Sequence, residues 1–483
     1  MKPLHYQSAG ELATELRQGR ISSVELTRHF MDRARRSAGS LNAVTYLDEG
    51  AIDRAGQADA ALARGVVRGP LHGLPMLLKD CWISREMPTA CGVSRLKDNI
   101  AGENAPVVQR LLDAGVIIMG RTNVPSFCTD LQTFNKPFGI TNNPWNPERT
   151  AGGSSGGAAA AVAAGLTPFE LGSDLAGSLR FPAAFCGVYS HKSSYGVAPA
   201  SGHILGDNDP ATALDMLVPG PVARSVSDLR LIFDLITGPG EDDVRAWSLN
   251  LPPARHDRIG DFRVGILPAA AGGRMGEEVA RVFEQTRHII EGAGVTISHP
   301  EGIHLDDLMA TYHRLLDPVY GLALPPSLLQ FAEDYAKNSG SEDHSVMGSF
   351  AANTSARHID WIKAHEERNR IRRMFARIFR SCDVLLCPVA MIPAFPHDTK
   401  GTMVERTLQV DDQPVNYLDI MQWITMANLA WLPATTLPAG FSRDGLPVGL
   451  QVIGPYLEDH TTLRFAELLA EWLAPWRPPE TEF

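Results

Sequence analysis

No segment of the sequence approaches the roughly 20 consecutive apolar residues that a membrane-spanning helix needs. Met1 to Gln7 hold no apolar signal core, so the expectation is a cytoplasmic protein with no membrane partner. Basic residues are in deficit: 44 Lys and Arg stand against 55 Asp and Glu, a net charge of −11. Non-specific nucleic-acid binding rests on Lys/Arg patches, so no nucleic-acid partner is expected. Cysteine is sparse, with six residues at 81, 91, 128, 186, 382 and 387. None forms a Cys-x-x-Cys pair or lies near a histidine at metal-ligand spacing, so no metal is expected. Free buried thiols are the expectation instead. Internal repeats and low-complexity tracts are also lacking.

The 483 residues are 44% hydrophobic and 20% charged, enough to bury a large core without disulfides. The first 65 residues read as helical, with Ser22 and Ser23 offering an N-cap before an amphipathic run over 26–36. Pro75 to Leu78 and Val116 to Gly120 read as buried strands around a helix over 104–115. The alanine run 158–165 predicts a helix small enough to pack tightly on a sheet. Strand and helix signals alternate to 236, which indicates α/β architecture. After a Gly/Pro break at 238–240 come a strand over 263–267, a helix over 275–291 and a helix-rich stretch over 304–370. Strands over 384–389, 435–439 and 448–453 and a helix over 463–473 close the chain.

Two glycine-rich turns place serines 24 positions apart, Ser154 in Gly152-Gly153-Ser154-Ser155-Gly156-Gly157 and Ser178 in Asp174-Leu175-Ala176-Gly177-Ser178. A phosphate cradle of the Walker type needs Gly-Lys-Ser/Thr after the loop, and alanine follows here. Gly152-x-Ser154-x-Gly156 fits a nucleophile elbow, which would make Ser154 the nucleophile with a later histidine as base. The plain alternative is that both turns serve only close packing. Ser94-x-x-Lys97 fits the Ser-x-x-Lys pattern of penicillin-binding enzymes, but lacks its companion motifs. Lys79 follows the apolar Met76-Leu77-Leu78. A lysine buried among apolar residues is driven toward its neutral, proton-accepting form.

Taken together, these motifs resemble the amidase signature family. Asn143-Pro144-Trp145-Asn146-Pro147, the first serine turn, Gly172-Ser173-Asp174 and Gly177-Ser178-Leu179-Arg180-Phe181-Pro182 carry the likeness. Gly73 to Asp80, Gly120-Arg121-Thr122-Asn123, Asn428 to Ala434 and Gly445 to Gln451 extend it over roughly residues 8–475. The resemblance implies a single α/β/α domain over 1–483 with a mixed central sheet flanked by helices. It implies a signature core at about 68–236, a variable helical cap at about 241–410 and a return to the sheet at about 411–475.

It further implies an amidohydrolase that cleaves a linear amide C–N bond, with esters or carbamates as possible substrates, and needs no cofactor. Ser178 would be the nucleophile, Ser154 (after a cis peptide bond) the relay and Lys79 the base. Backbone N–H groups of Leu175, Ala176, Gly177 and Ser178 would form the oxyanion hole. Ser155, Asp174 and Arg180 would support the turns. The expected partner is a small apolar, aryl or alkyl amide, and a homodimer is possible. Ala176 stands where the family usually has Gly, Ser173 where it usually has Thr, and Trp431 where Gly is common. Cys128 and Trp431 are candidate pocket residues, against plain readings as a buried thiol and as core packing. Two alternatives stay open: a glutamine-amidase subunit of a tRNA amidotransferase, and an esterase of the α/β-hydrolase type using Ser154 and a histidine.

Overall fold

The computed structural model describes residues 2–206, 212–267, 269–339 and 343–481. Eleven strands form one sheet: β1 Val44–Leu47, β2 Pro75–Lys79, β3 Ile117–Thr122, β4 Phe169–Asp174, β5 Tyr189–Lys192, β6 Val218–Ala223, β7 Arg263–Gly265, β8 Thr296–Ser298, β9 Val384–Pro388, β10 Ala434–Phe441 and β11 Pro447–Ile453. Their spatial order is β1-β3-β2-β4-β6-β5-β10-β11-β9-β7-β8. The sheet is mixed. β2 lies parallel to both β3 and β4, while β4 and β6 pair antiparallel from Phe169↔Ala223 to Asp174↔Val218. Strands β2, β3, β4, β5 and β6 are buried along their whole length, as expected where helices cover both faces.

Helices α1 (Ala9–Arg17) and α2 (Ser23–Ser37) each begin with a capping box, Ser8 with Glu11 and Ser22 with Glu25. They are followed by α3 (Gly50–Ala63), α4 (Pro106–Asp113), α5 (Gly156–Ala163), the short α6 (Arg180–Cys186) and α7 (Val226–Ile236). Between α2 and α3 the chain forms β1, a four-residue edge strand antiparallel to β3. The expectation of an all-helical first 65 residues therefore fails at Val44–Leu47. Cross-strand pairing, rather than helical periodicity, decides the state of that short run of β-formers.

The alanine-rich α5 has no alanine or valine more than 1% exposed. It lies against β2, β4 and β6 and against α6. Its small side chains bring the first serine turn, at its N-terminus, down to the strand ends. A larger side chain there would overpack the sheet at a cost of about 1–3 kcal/mol.

Past α7 the chain adds α8 (Glu277–Gly292) and four consecutive helices: α9 (Leu305–Gly321), α10 (Pro326–Ser339), α11 (Val346–Thr354) and α12 (His358–Ile378). The short α13 (Thr425–Leu429) and the terminal α14 (Asp459–Trp472) complete the set. Tyr312 of α9, Phe375 of α12 and Met426 of α13 share one apolar cluster with Leu175, Ala176 and Phe181 of the second serine turn. The later helices thereby close over that turn.

Candidate active site

Lys79 is the last residue of β2 and is completely buried behind Met76, Leu77 and Leu78. Its Nζ donates to Ser154 Oγ and to Ser173 Oγ, each at 2.8 Å. It forms no ion pair with a carboxylate among the described residues. Glu170 is the acid whose charge bears on it, and burial pushes the Glu170 carboxyl up to about 8 against the hydrogen bond from Thr122 and the pull of Lys79. Glu170 therefore stays protonated at neutral pH and offers Lys79 no counter-charge.

The first turn is pinned from outside. Thr133 Oγ1 donates to Gly152 O at 2.8 Å and accepts from Gly156 N–H at 3.1 Å. The Gly153–Ser154 peptide bond is cis. A side chain on Gly153 would meet the backbone of Asp130 and Gln132 at 2.6 and 2.7 Å, so only glycine fits there. Ser155 ties the two turns together: its N–H donates to Ser178 O at 3.1 Å and its hydroxyl to Ser173 O at 3.3 Å. No hydrogen bond among the described residues joins the Ser154 and Ser178 hydroxyls, and none joins either hydroxyl to a histidine.

The second turn is organised by Asp174. Its carboxylate accepts from Gly177 N–H at 3.0 Å and Leu179 N–H at 3.2 Å. It also accepts from Arg180 Nε and Nη2 at 3.0 and 3.1 Å. Burial alone would raise this carboxyl, but the Arg180 guanidinium outweighs it and holds the group well below the usual carboxylate range. Arg180 Nη1 continues to Gln451 Oε1 at 2.9 Å and Ile424 O at 3.0 Å, and Nη2 also bonds Asn428 Oδ1. Asn428 Nδ2 returns to Asp174 Oδ1 and to Leu175 O at 3.0 and 2.7 Å.

Gly177 sits at φ +83°, and a side chain on it would strike the Phe181 ring at 2.5 Å. Because Asp174 takes the Gly177 N–H, that group is not a free donor. The N–H groups of Leu175, Ala176 and Ser178 meet no acceptor among the described residues. Unpaired N–H groups in a buried turn are rare, and such donors can receive negative charge.

Some contacts lie beyond the sequence reading. Tyr312 OH of α9 donates to Leu175 O at 3.0 Å, and Ser173 Oγ bonds His203 Nε2 at 2.9 Å. Neither follows from spacing, because α9 and residue 203 lie far from the turns in the chain. Cys128 is buried against Cys81 and His203, and does not line the apolar cavity between α9, α10 and α11. Trp431 is half-buried at φ +65°, a backbone conformation that glycine adopts more easily. Its ring stacks on Tyr195 with centroids 4.8 Å apart, and it carries the Arg372 and Arg368 guanidinium groups at 4.1 and 4.7 Å. Trp431 thus packs against the apolar core and joins an aromatic–cation cluster on its other contacts. The apolar cavity, about 310 Å³, lies between α9, α10, α11 and residues 402–421. Tyr320, Leu328, Phe331, Met347, Phe350 and Met421 line it. No helix among the described residues is long and apolar enough to cross a membrane.

Comparison with known proteins places the whole chain. The sequence profile of the family described as Amidase matches residues 25–463. The chain is 33% identical over 481 residues to the glutamyl-tRNA(Gln) amidotransferase A subunit of Coxiella burnetii, covering 94% of this chain and 95% of that protein. The corresponding protein of Moorella thermoacetica is 34% identical, covering 96% of each. Among solved structures, a crystal structure of an amidase superposes with TM-score 0.79 at 28% identity, covering 97% of this chain and 100% of the other. A bacterial aryl acylamidase of the amidase signature enzymes shares the fold, with TM-score 0.81 at 23% identity and 98% of each chain covered.

Proposed function

The chain belongs to the amidase family and is an amidohydrolase of the amidase signature type, and we propose that it hydrolyses small apolar amides through an acyl-enzyme on Ser178. The observation that carries this reading is the buried Lys79 amine, 2.8 Å from Ser154 Oγ and without a carboxylate partner among the described residues. Such an amine is placed to accept a proton, and a bridging hydroxyl can accept from one neighbour while donating to the other.

In the proposed cycle, Ser178 Oγ attacks the amide carbon and its proton passes through Ser154 to Lys79. The carbonyl oxygen becomes an oxyanion facing the free N–H groups of Leu175, Ala176 and Ser178. Each such donor typically contributes a few kcal/mol of transition-state stabilisation. The C–N bond then breaks as Ser154 passes the proton to the departing amine. A water molecule adds to the acyl ester, loses its proton along the same path and releases the acid and free Ser178. Asp174, Arg180 and Asn428 hold the donor turn rigid and do not touch the reacting atoms.

For the substrate side we take the cavity of about 310 Å³ walled by α9, α10 and α11; Lys79, Ser154 and Ser178 do not line it, and it meets the second turn through the apolar cluster that Tyr320 and Met421 share with Leu175 and Ala176. We take residues 68–236 as the catalytic core and about 241–410 as the region that shapes the acyl or amine site. Apolar walls favour aryl or alkyl groups over charged ones. A panel of aryl, alkyl, amino-acid and carbamate amides, assayed with wild type and Ser178→Ala, tests this. Hydrolysis confined to charged amino-acid amides would overturn the apolar assignment.

The full-length likeness to glutamyl-tRNA(Gln) amidotransferase A subunits supports a second reading, in which the chain is the glutamine-hydrolysing part of an assembly. That reading requires a partner. Ammonia release from glutamine only in the presence of a co-purifying protein would favour it, and turnover of simple amides by the isolated chain would oppose it.

A further inference from the structure

Around the Ser173 hydroxyl that Lys79 also contacts, three donors converge that the proposed cycle does not use. Cys81 Sγ, Cys128 Sγ and one ring nitrogen of His203 all lie within 4.8 Å of one another, and all three residues are buried. They come from three segments: the residue pair after β2, the loop after β3 and the loop after β5. Cys91 packs beside Cys128 as a further thiol.

We propose that Cys81, Cys128 and His203 bind one thiophilic d10 cation, such as Zn²⁺, and that its binding slows the enzyme by engaging the Ser173 hydroxyl that Lys79 also uses. A tetrahedral zinc site has metal–sulfur and metal–nitrogen bonds of about 2.3 and 2.0–2.1 Å, so its donor atoms sit about 3.5–3.8 Å apart. The three groups therefore need to close by no more than about 1 Å. Two thiolates balance the charge of a dication, so the filled site adds no net charge to the interior; the two thiol protons leave to solvent.

Two observations support a ligand here. The backbone carrying the thiols is in the left-handed region at Cys91, Phe127 and Cys128, with φ of 48°, 51° and 60°. Such positions are costly for residues other than glycine and gather where a side chain must be aimed. Finally, Ser173 Oγ lies 3.9 Å from Cys81 Sγ and 2.9 Å from His203 Nε2, placed to complete the coordination shell.

The same Ser173 Oγ accepts the second hydrogen bond of Lys79 at 2.8 Å. A cation drawing on that oxygen takes away one of the two contacts that aim the amine at Ser154. A misplacement of about 1 Å in a catalytic group can cost about 10²-fold in rate. This inhibitory half rests on the role proposed for Lys79; the binding half does not.

The test uses Co²⁺ as a spectroscopic probe on the intact, reduced chain. One equivalent should produce a thiolate-to-cobalt charge-transfer absorption in the near ultraviolet, displaced by Zn²⁺. Cys81→Ser and Cys128→Ala should each weaken it, and the double variant should abolish it. In wild type, Zn²⁺ should lower turnover of the best amide about tenfold or more, reversibly with chelator, as expected for a displaced catalytic group. Cys128→Ala should keep its turnover in the presence of Zn²⁺.

No absorption in wild type, or absorption that persists in the double variant, overturns the site. Metal bound with turnover unchanged overturns the inhibition. The cobalt spectrum needs no turnover, so failure of this site and failure of the amidase reading are separately visible.

Discussion

Asp174 and Arg180 face each other as a two-armed ion pair at 3.0 and 3.1 Å, with both side chains fully out of solvent. The pair joins the end of β4 to the start of α6 and so fixes the turn that carries Ser178. Removing one member strands the other charge in the interior, which typically costs about 3–5 kcal/mol. Arg180→Ala should lose that much in urea unfolding, or fail to accumulate as folded protein. A loss below about 1 kcal/mol would show that the pair is not structural.

In the proposed cycle Lys79 and Ser154 act on the proton rather than on binding. Lys79→Met and Ser154→Ala should each lower kcat by about 10²–10⁴-fold, the usual range for lost acid–base catalysis. KM should stay near the wild-type value, because neither group is proposed to hold substrate. A large rise in KM with kcat preserved would reassign them to binding.

Glu170 makes stability depend on pH in a defined direction. Its folded-state carboxyl titrates at about 8, above the ordinary 4.5 of the unfolded chain. Between those values the folded state holds a proton that the unfolded state has lost. The contribution is complete below about pH 4.5 and falls as pH rises toward 8, by up to about 1.4 kcal/mol per pH unit. Glu170→Gln keeps the shape and the acceptor for Thr122 but cannot ionise. The variant should show a flatter unfolding free energy between about pH 6 and 8 than wild type; equal slopes would refute the assignment.

The cavity beneath α10 and α11 should select by size. Met347→Trp fills part of it and should lower kcat/KM for bulky aryl amides by about 10–200-fold, the range for steric discrimination in an apolar pocket. The smallest amides should be affected far less. Uniform loss across the panel would indicate that the cavity is not the substrate site.

Much of this fold is legible in sequence because the core strands are short apolar runs bounded by Gly and Pro. Pro75–Lys79, Ile117–Thr122, Val384–Pro388 and Pro447–Ile453 fall within a residue or two of their expected limits. The alanine helix Gly156–Ala163 is equally plain, since its composition leaves little else to do. The edge strand Val44–Leu47 escapes a local reading because its partner lies about 75 residues away, at Gly120–Thr122.

Motif order is what singles out Lys79, Ser154, Ser178, Asp174 and Arg180 for the proposed site. Three other features depend on tertiary approach alone: the capture of the Gly177 N–H by Asp174, the closure of Tyr312 onto Leu175, and the meeting of Cys81, Cys128 and His203. Spacing in the chain carries no trace of them, and the cysteine spacing even argues against a metal site.

Which serine is acylated decides between the proposed cycle and its rivals. A fluorophosphonate, which reacts with activated serine nucleophiles, should give one adduct per chain, located by peptide mass spectrometry on Ser178. The adduct and all amide turnover should vanish in Ser178→Ala. An adduct on Ser154, or turnover that survives in Ser178→Ala and is lost with one histidine, would contradict it.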